Sequence, residues 1–120
     1  MKQRITIDLP WPPSQNSIWR GSGRRVYRSP EYINWIAQAH GEKLIQRVRG
    51  RIEGKFKAKI ILTPPDKRAI DIDNRVKVVL DFAQSSGMVK YDSKCRKLTV
   101  AWDDERPTIP SRARLILTAC

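Results

Sequence analysis

Cysteine and histidine are nearly absent from this chain, which in 120 residues has only Cys95, Cys120 and His40. The cysteines form no CxxC pair and one is the final residue, so two free thiols are expected rather than a disulfide. Lys94 and Arg96 flank Cys95 and would favour its thiolate, but a thiol enzyme needs a base and His40 is the only histidine. An inert thiol is the expectation. Long apolar stretches are also missing: Ile60-Ile61-Leu62 and Val78-Val79-Leu80 are among the longest, against the roughly 20 residues a bilayer crossing requires. Met1-Lys2-Gln3-Arg4 leads into alternating residues with no apolar leader segment, so a cytoplasmic location is expected.

Acidic residues are the third scarcity. Twelve Asp and Glu stand against 24 Lys and Arg, a formal charge of +12, which attracts polyanions over long range. Nucleic acid is the leading partner. An anionic membrane is disfavoured because the basic residues are scattered over loops and strands instead of lining one long helix. With 40% hydrophobic and 30% charged residues the composition is globular, and a chain of this length fits one domain spanning residues 1–120.

Ile5, Ile7 and Leu9 alternate with polar residues as a half-buried strand that Pro10-Trp11-Pro12-Pro13 stops. Residues 11–28 read as a long loop carrying Trp11, Trp19 and Tyr27 among arginines. Trp11 is expected to anchor the loop, and Trp19 either anchors or stacks on unpaired bases. Ser29-Pro30-Glu31 is a helix start, with Ser capping, Pro in the first turn and Glu at the positive end of the dipole. The helix runs to about Arg47, with Ile33, Ile36, Ala37, His40 and Leu44 as its expected buried stripe and Gly50 closing it.

Phe56, Ala58, Ile60 and Leu62 then face one way along a strand while Lys55, Lys57 and Lys59 face the other, as a solvated row or a DNA path. Lys67-Arg68-Ala69-Ile70 leads into a second helix with Val76, Val79, Leu80 and Ala83 inward and Gly87 at its end. Alternation at Leu98, Val100 and Trp102, and at Ala113, Leu115 and Leu117, gives two more strands around a turn at Asp103-Asp104-Glu105-Arg106-Pro107. The expected order is β-α-β-α-β-β: an α+β fold, a mixed sheet with two main helices on one face.

Five of the twelve acidic residues fall between Asp66 and Asp92. Asp71 and Asp73, two apart where an extended segment enters the second helix, would project to one side, and Asp92 in the turn Tyr91-Asp92-Ser93 is a third carboxylate. Magnesium prefers such oxygen donors and keeps several waters. Helix capping would explain any one of these aspartates, and Asp73, Lys77 and Asp81, one turn apart, would also make an ordinary surface ion-pair ladder. Carboxylates gathered inside a cationic polyanion binder nevertheless oppose binding unless a metal neutralises them.

Leu9-Pro10-Trp11-Pro12-Pro13-Ser14-Gln15-Asn16, then Asp71-Ile72-Asp73-Asn74 with Lys77 and Asp81, then Gly87 and Asp92, together resemble the RusA family of Holliday junction resolvases. The resemblance runs from the first strand to about Asp92. It implies a RusA-like fold and a homodimeric, magnesium-dependent endonuclease, with manganese as a substitute, that resolves four-way junctions in DNA recombination and repair, often phage- or prophage-encoded and acting in a bacterial or phage-infected cell. It carries the metal-site positions onto Asp71, Asp73 and Asp92 and the essential lysine onto Lys77, with Asn74 matching the asparagine after the second aspartate and Asp81 as a further supporting position. Tyr91 stands where some members carry another aspartate.

The reaction so implied is hydrolysis of a phosphodiester by a metal-activated water, with Lys77 beside the scissile phosphate. Arg24, Arg25, Lys67, Arg68 and Arg75 are candidate phosphate contacts. The alternative is a non-catalytic basic nucleic-acid-binding protein whose aspartates are only caps and ion pairs. A nucleotide-sugar transferase using a DxD motif would need a larger donor-binding domain, so no small-molecule substrate is expected.

Overall fold

Period-two patterning builds the sheet. In the computed structural model, which describes residues 2–65, 71–103 and 111–120, strand β1 (Arg4–Pro10) buries Ile5, Ile7 and Leu9. Strand β4 (Phe56–Thr63) buries Phe56, Ala58, Ile60 and Leu62, and β6 (Arg112–Ala119) buries Ala113, Leu115 and Leu117. With β5 (Cys95–Trp102) they form one sheet in the order β1-β6-β4-β5. Strand β6 is antiparallel to β1 and β4, and its pairings Ile7↔Leu115 and Ile60↔Leu115 set the inward side chains in a row across the strands.

Strand β5 lies parallel to β4, so the chain must cross over between them, and the crossover carries helix α2 (Val76–Ser85). This helix buries Val78, Val79, Phe82 and Ala83, while Val76 and Leu80 are half-buried. It ends as expected: Gly87 takes a φ of 83°, its N–H donates to Gln84 O, and Met88 N–H donates to Ala83 O.

Helix α1 (Pro30–Ile45) begins at the expected cap, where Ser29 Oγ accepts from Tyr32 N–H at 3.2 Å. Its buried face differs from the expected stripe by one residue. Tyr32, Trp35 and Ala39 are buried and Ile36 half-buried, whereas Ile33, Ala37, His40 and Leu44 are exposed. The large aromatics decide the rotation: Trp35 can be buried because its Nε1–H donates to Pro10 O at 2.9 Å, and its ring meets Phe82 edge-on. The helix also stops earlier than Gly50. Arg47 takes a left-handed φ of 54°, Arg47 N–H donates to Leu44 O and Val48 N–H to Lys43 O, so an arginine holds the position usually given to glycine. Gln46 ties this end to β1, accepting from Asp8 N–H and donating to Asp8 O.

Residues 11–28 are not a plain loop. A short 3-10 turn (Gln15–Ser17) leads into a separate hairpin of β2 (Trp19–Ser22) and β3 (Arg25–Arg28). Gly21 makes it possible: its φ is 103°, and a Cβ there would stand 2.0 Å from Arg25 O. Sparse apolar residues hid these strands, because the hairpin buries neither face. Both helices and the inward faces of β1, β4 and β6 share one core, and the opposite sheet face, with Lys57 and Lys59, stays open. The lead-in at Lys67–Ile70 and the turn beyond Asp103 lie outside the described residues.

Candidate active site

The approach to α2 is a 3-10 turn, Ile72–Arg75, instead of the extended segment expected there. Asp71 is its extended N-cap residue and Asp73 lies in its first turn, yet the Asp71 side chain makes no capping hydrogen bond. The capping explanation for this aspartate therefore fails. Asp92 opens another 3-10 turn, Asp92–Lys94, and its N–H donates to Gln84 Oε1 at 2.8 Å, fastening the turn to the end of α2.

These elements meet at an open pocket of about 400 Å³ whose lining includes Gln15, Asp73, Lys77, Asp81 and Asp92. Ile72, Val76, Leu80, Leu98 and Val100 form its apolar wall. Asp71 is exposed and outside that lining, and Asn74, half-buried, donates its backbone N–H to Asp71 O. The ion-pair ladder is reduced to one rung: Lys77 Nζ stands 3.7 Å from Asp81 Oδ1, and no such pair joins Asp73 to Lys77 among the described residues.

The carboxylates divide cleanly by partner. Asp8 pairs with Arg112 and Arg114, Glu31 with Arg20, Glu53 with Arg51 and Lys90, and Asp81 with Lys77. Glu42 accepts from the Gln46 amide and Asp103 from Thr63. Among the described residues, only the side chains of Asp71, Asp73 and Asp92 engage no hydrogen bond or ion pair. In a chain of charge +12, leaving three carboxylates without a cation is a cost that structure alone does not require.

The remaining expected residues are dispersed. Arg24 and Arg25 are exposed on the hairpin. Arg75 is half-buried with its guanidinium 5.4 Å from the Trp11 ring centroid, and desolvation lowers its pKa from the ordinary arginine value. Trp11 in turn stacks on Trp102 at 6.3 Å, which bears out its anchoring role. Lys67 and Arg68 lie outside the described residues. His40 packs edge-on against Phe82 and is not in the acidic pocket. Burial pushes the Cys95 thiol up, outweighing the neighbouring Arg96. Gln84 was not legible as a site residue, since nothing in its spacing announces that it holds Asp92; Gln15 lay within the quoted proline-rich motif.

A basic α+β domain with unpaired carboxylates in a cleft is the construction of a DNA-cleaving enzyme, and residues 10–111 match the family model described as Endodeoxyribonuclease RusA. Similar proteins include the crossover junction endodeoxyribonuclease RusA of Aquifex aeolicus, 34% identical over 85 residues, which covers 71% of this chain and 67% of that one. The enzyme of the same name from Enterobacteria phage HK97 is 30% identical over 88 residues, covering 72% of each chain. That of Enterobacteria phage 82 is 29% identical over 93 residues, covering 73% of each. The chain belongs to the RusA family of endodeoxyribonucleases. Its helices include none long and apolar enough to cross a membrane among the described residues.

Proposed function

We propose that this endodeoxyribonuclease resolves four-way DNA junctions by paired hydrolytic nicks, using a divalent cation held by Asp71, Asp73 and Asp92. The observation that carries the reading is the set of three carboxylates without protein partners, two of them facing one pocket beside a lysine. No three acidic, histidine or cysteine side chains among the described residues are grouped as a complete ligand set. Magnesium does not need one, since one or two carboxylates with waters and a substrate phosphate satisfy it. Asp73 and Asp92 fit that demand, and Asp71 is the third donor by family resemblance.

Bound there, magnesium, or manganese in its place, supplies an acidified water and neutralises charge on the phosphate. The chain's own residues do the rest. Lys77 presents an exposed ammonium at the pocket rim, tethered by Asp81, and stabilises negative charge developing on the phosphate oxygens. Gln84 holds the Asp92 backbone, and the Trp11–Arg75 stack on Trp102 fixes the turn that carries Asp73. Two opposed cuts match a two-fold dimer. Leu44 and Ile45, 80% and 74% exposed, are apolar side chains that a second copy would cover.

The test is cleavage of a labelled four-way junction by wild type and Asp73→Asn, with magnesium and with chelator. Wild type is expected to nick opposed strands only with metal, and Asp73→Asn to bind without cutting. A wild type that never cuts, or an Asp73→Asn that cuts equally well, would overturn the reading.

A further inference from the structure

The hairpin β2–β3 contributes little to the core. Trp19, Val26 and Tyr27 are 53%, 56% and 58% exposed, and the strands carry Arg20, Arg25 and Arg28. Its root, by contrast, is firmly tied. Ile18 is buried, Ser29 N–H donates to Ile18 O, Ser29 Oγ donates to Ser17 O, and Arg20 pairs with Glu31 at 2.6 Å. A rigidly rooted ribbon that keeps aromatic rings in water gives up hydrophobic stabilisation, and aromatic rings among arginines are how proteins hold unstacked bases without reading sequence. Arg28 sits 5.1 Å from the Trp19 ring centroid and 4.9 Å from that of Tyr32, so one guanidinium organises two rings.

Below Arg28 and Tyr32 lies a cavity of about 530 Å³ that reaches Gln84 and Asp81 on α2. Asp81 also lines the acidic pocket, and Gln84 holds Asp92. Hairpin root, cavity and acidic pocket are therefore contiguous along α2. Resting on the junction-resolving reading, we propose that the hairpin and this cavity form a site for unpaired nucleotides at the branch point, with Trp19, which shares a ribbon face with Arg28, stacking on a base and Arg28 contacting the adjoining phosphate.

The test compares binding, in chelator, of a four-way junction, the matched duplex and an oligothymidylate. Trp19→Ala is expected to weaken junction and oligothymidylate binding roughly 5- to 150-fold, the range for stacking side chains, while duplex binding stays within about twofold. Trp19→Phe should restore most of the loss. In wild type, photocrosslinking from 5-iododeoxyuridine at the branch point should label residues 19–28, a readout that needs no substitution to fold. Equal weakening on all three probes, no weakening, or an adduct mapping elsewhere overturns the proposal. A wild type that does not prefer junction over duplex would instead sink the resolvase reading, and the oligothymidylate comparison would still decide the hairpin's role.

Discussion

Asp71, Asp73 and Asp92 differ from the chain's other described carboxylates in having nothing to hold. A side chain kept for chemistry and not for folding has a recognisable signature in stability. Asp71→Asn, Asp73→Asn and Asp92→Asn are each expected to change unfolding free energy by no more than about 0.5 kcal/mol, and any change should lean towards greater stability. Asp8→Asn is the contrast, because Asp8 accepts from Arg114 at 2.7 and 3.3 Å; it should cost about 1 kcal/mol, given the pair's partial exposure. Urea denaturation measures both. A large loss at Asp73 would mean that its carboxylate supports the fold. At this scale the aspartates and Lys77 could be singled out as candidates, with capping and an ion-pair ladder left open by type and spacing and the metal-site assignment coming from the family resemblance. Their freedom from partners could not, since it depends on where every arginine and lysine in the fold ends up.

Elements position the site, and α2 does most of it. Its first turn bears Lys77, its middle packs Phe82 against Trp35 and His40, and its last turn presents Gln84 to Asp92. Gln84→Met keeps the volume and removes the acceptor, so the single-turnover cleavage rate at saturating enzyme should fall about 10- to 100-fold, as for other groups that orient ligands. An unchanged rate at saturating enzyme would deny it a positioning role. Phe82→Ala, at a fully buried position, should cost about 3–5 kcal/mol in thermal or urea unfolding.

Strands β1, β4 and β6 were readable because one face is buried and the period is plain, whereas β5 buries neither face and keeps Leu98 exposed. The α1 face was misread by one residue because counting aliphatic positions favours Ile33 and Leu44, while Tyr32 and Trp35 bury more surface once Trp35 reaches Pro10 O. The hairpin escaped because pattern reading detects burial, and its strands bury neither face.

Across the whole molecule, charge is distributed by task. Cations are left on the hairpin and on the open sheet face with Lys57 and Lys59, where a polyanion can meet them, and among the described residues acidic charge without partners is confined to Asp71 and the pocket residues Asp73 and Asp92. On the proposed reading, a cation joining the complex at that place offsets repulsion that binding alone would not require. Manganese titration of the full-length protein without DNA, followed by electron paramagnetic resonance of the free ion, tests this directly. Wild type should bind the ion, and Asp73→Asn and Asp92→Asn should each weaken binding at least about tenfold with the fold intact. Unchanged manganese affinity in both variants would contradict the account.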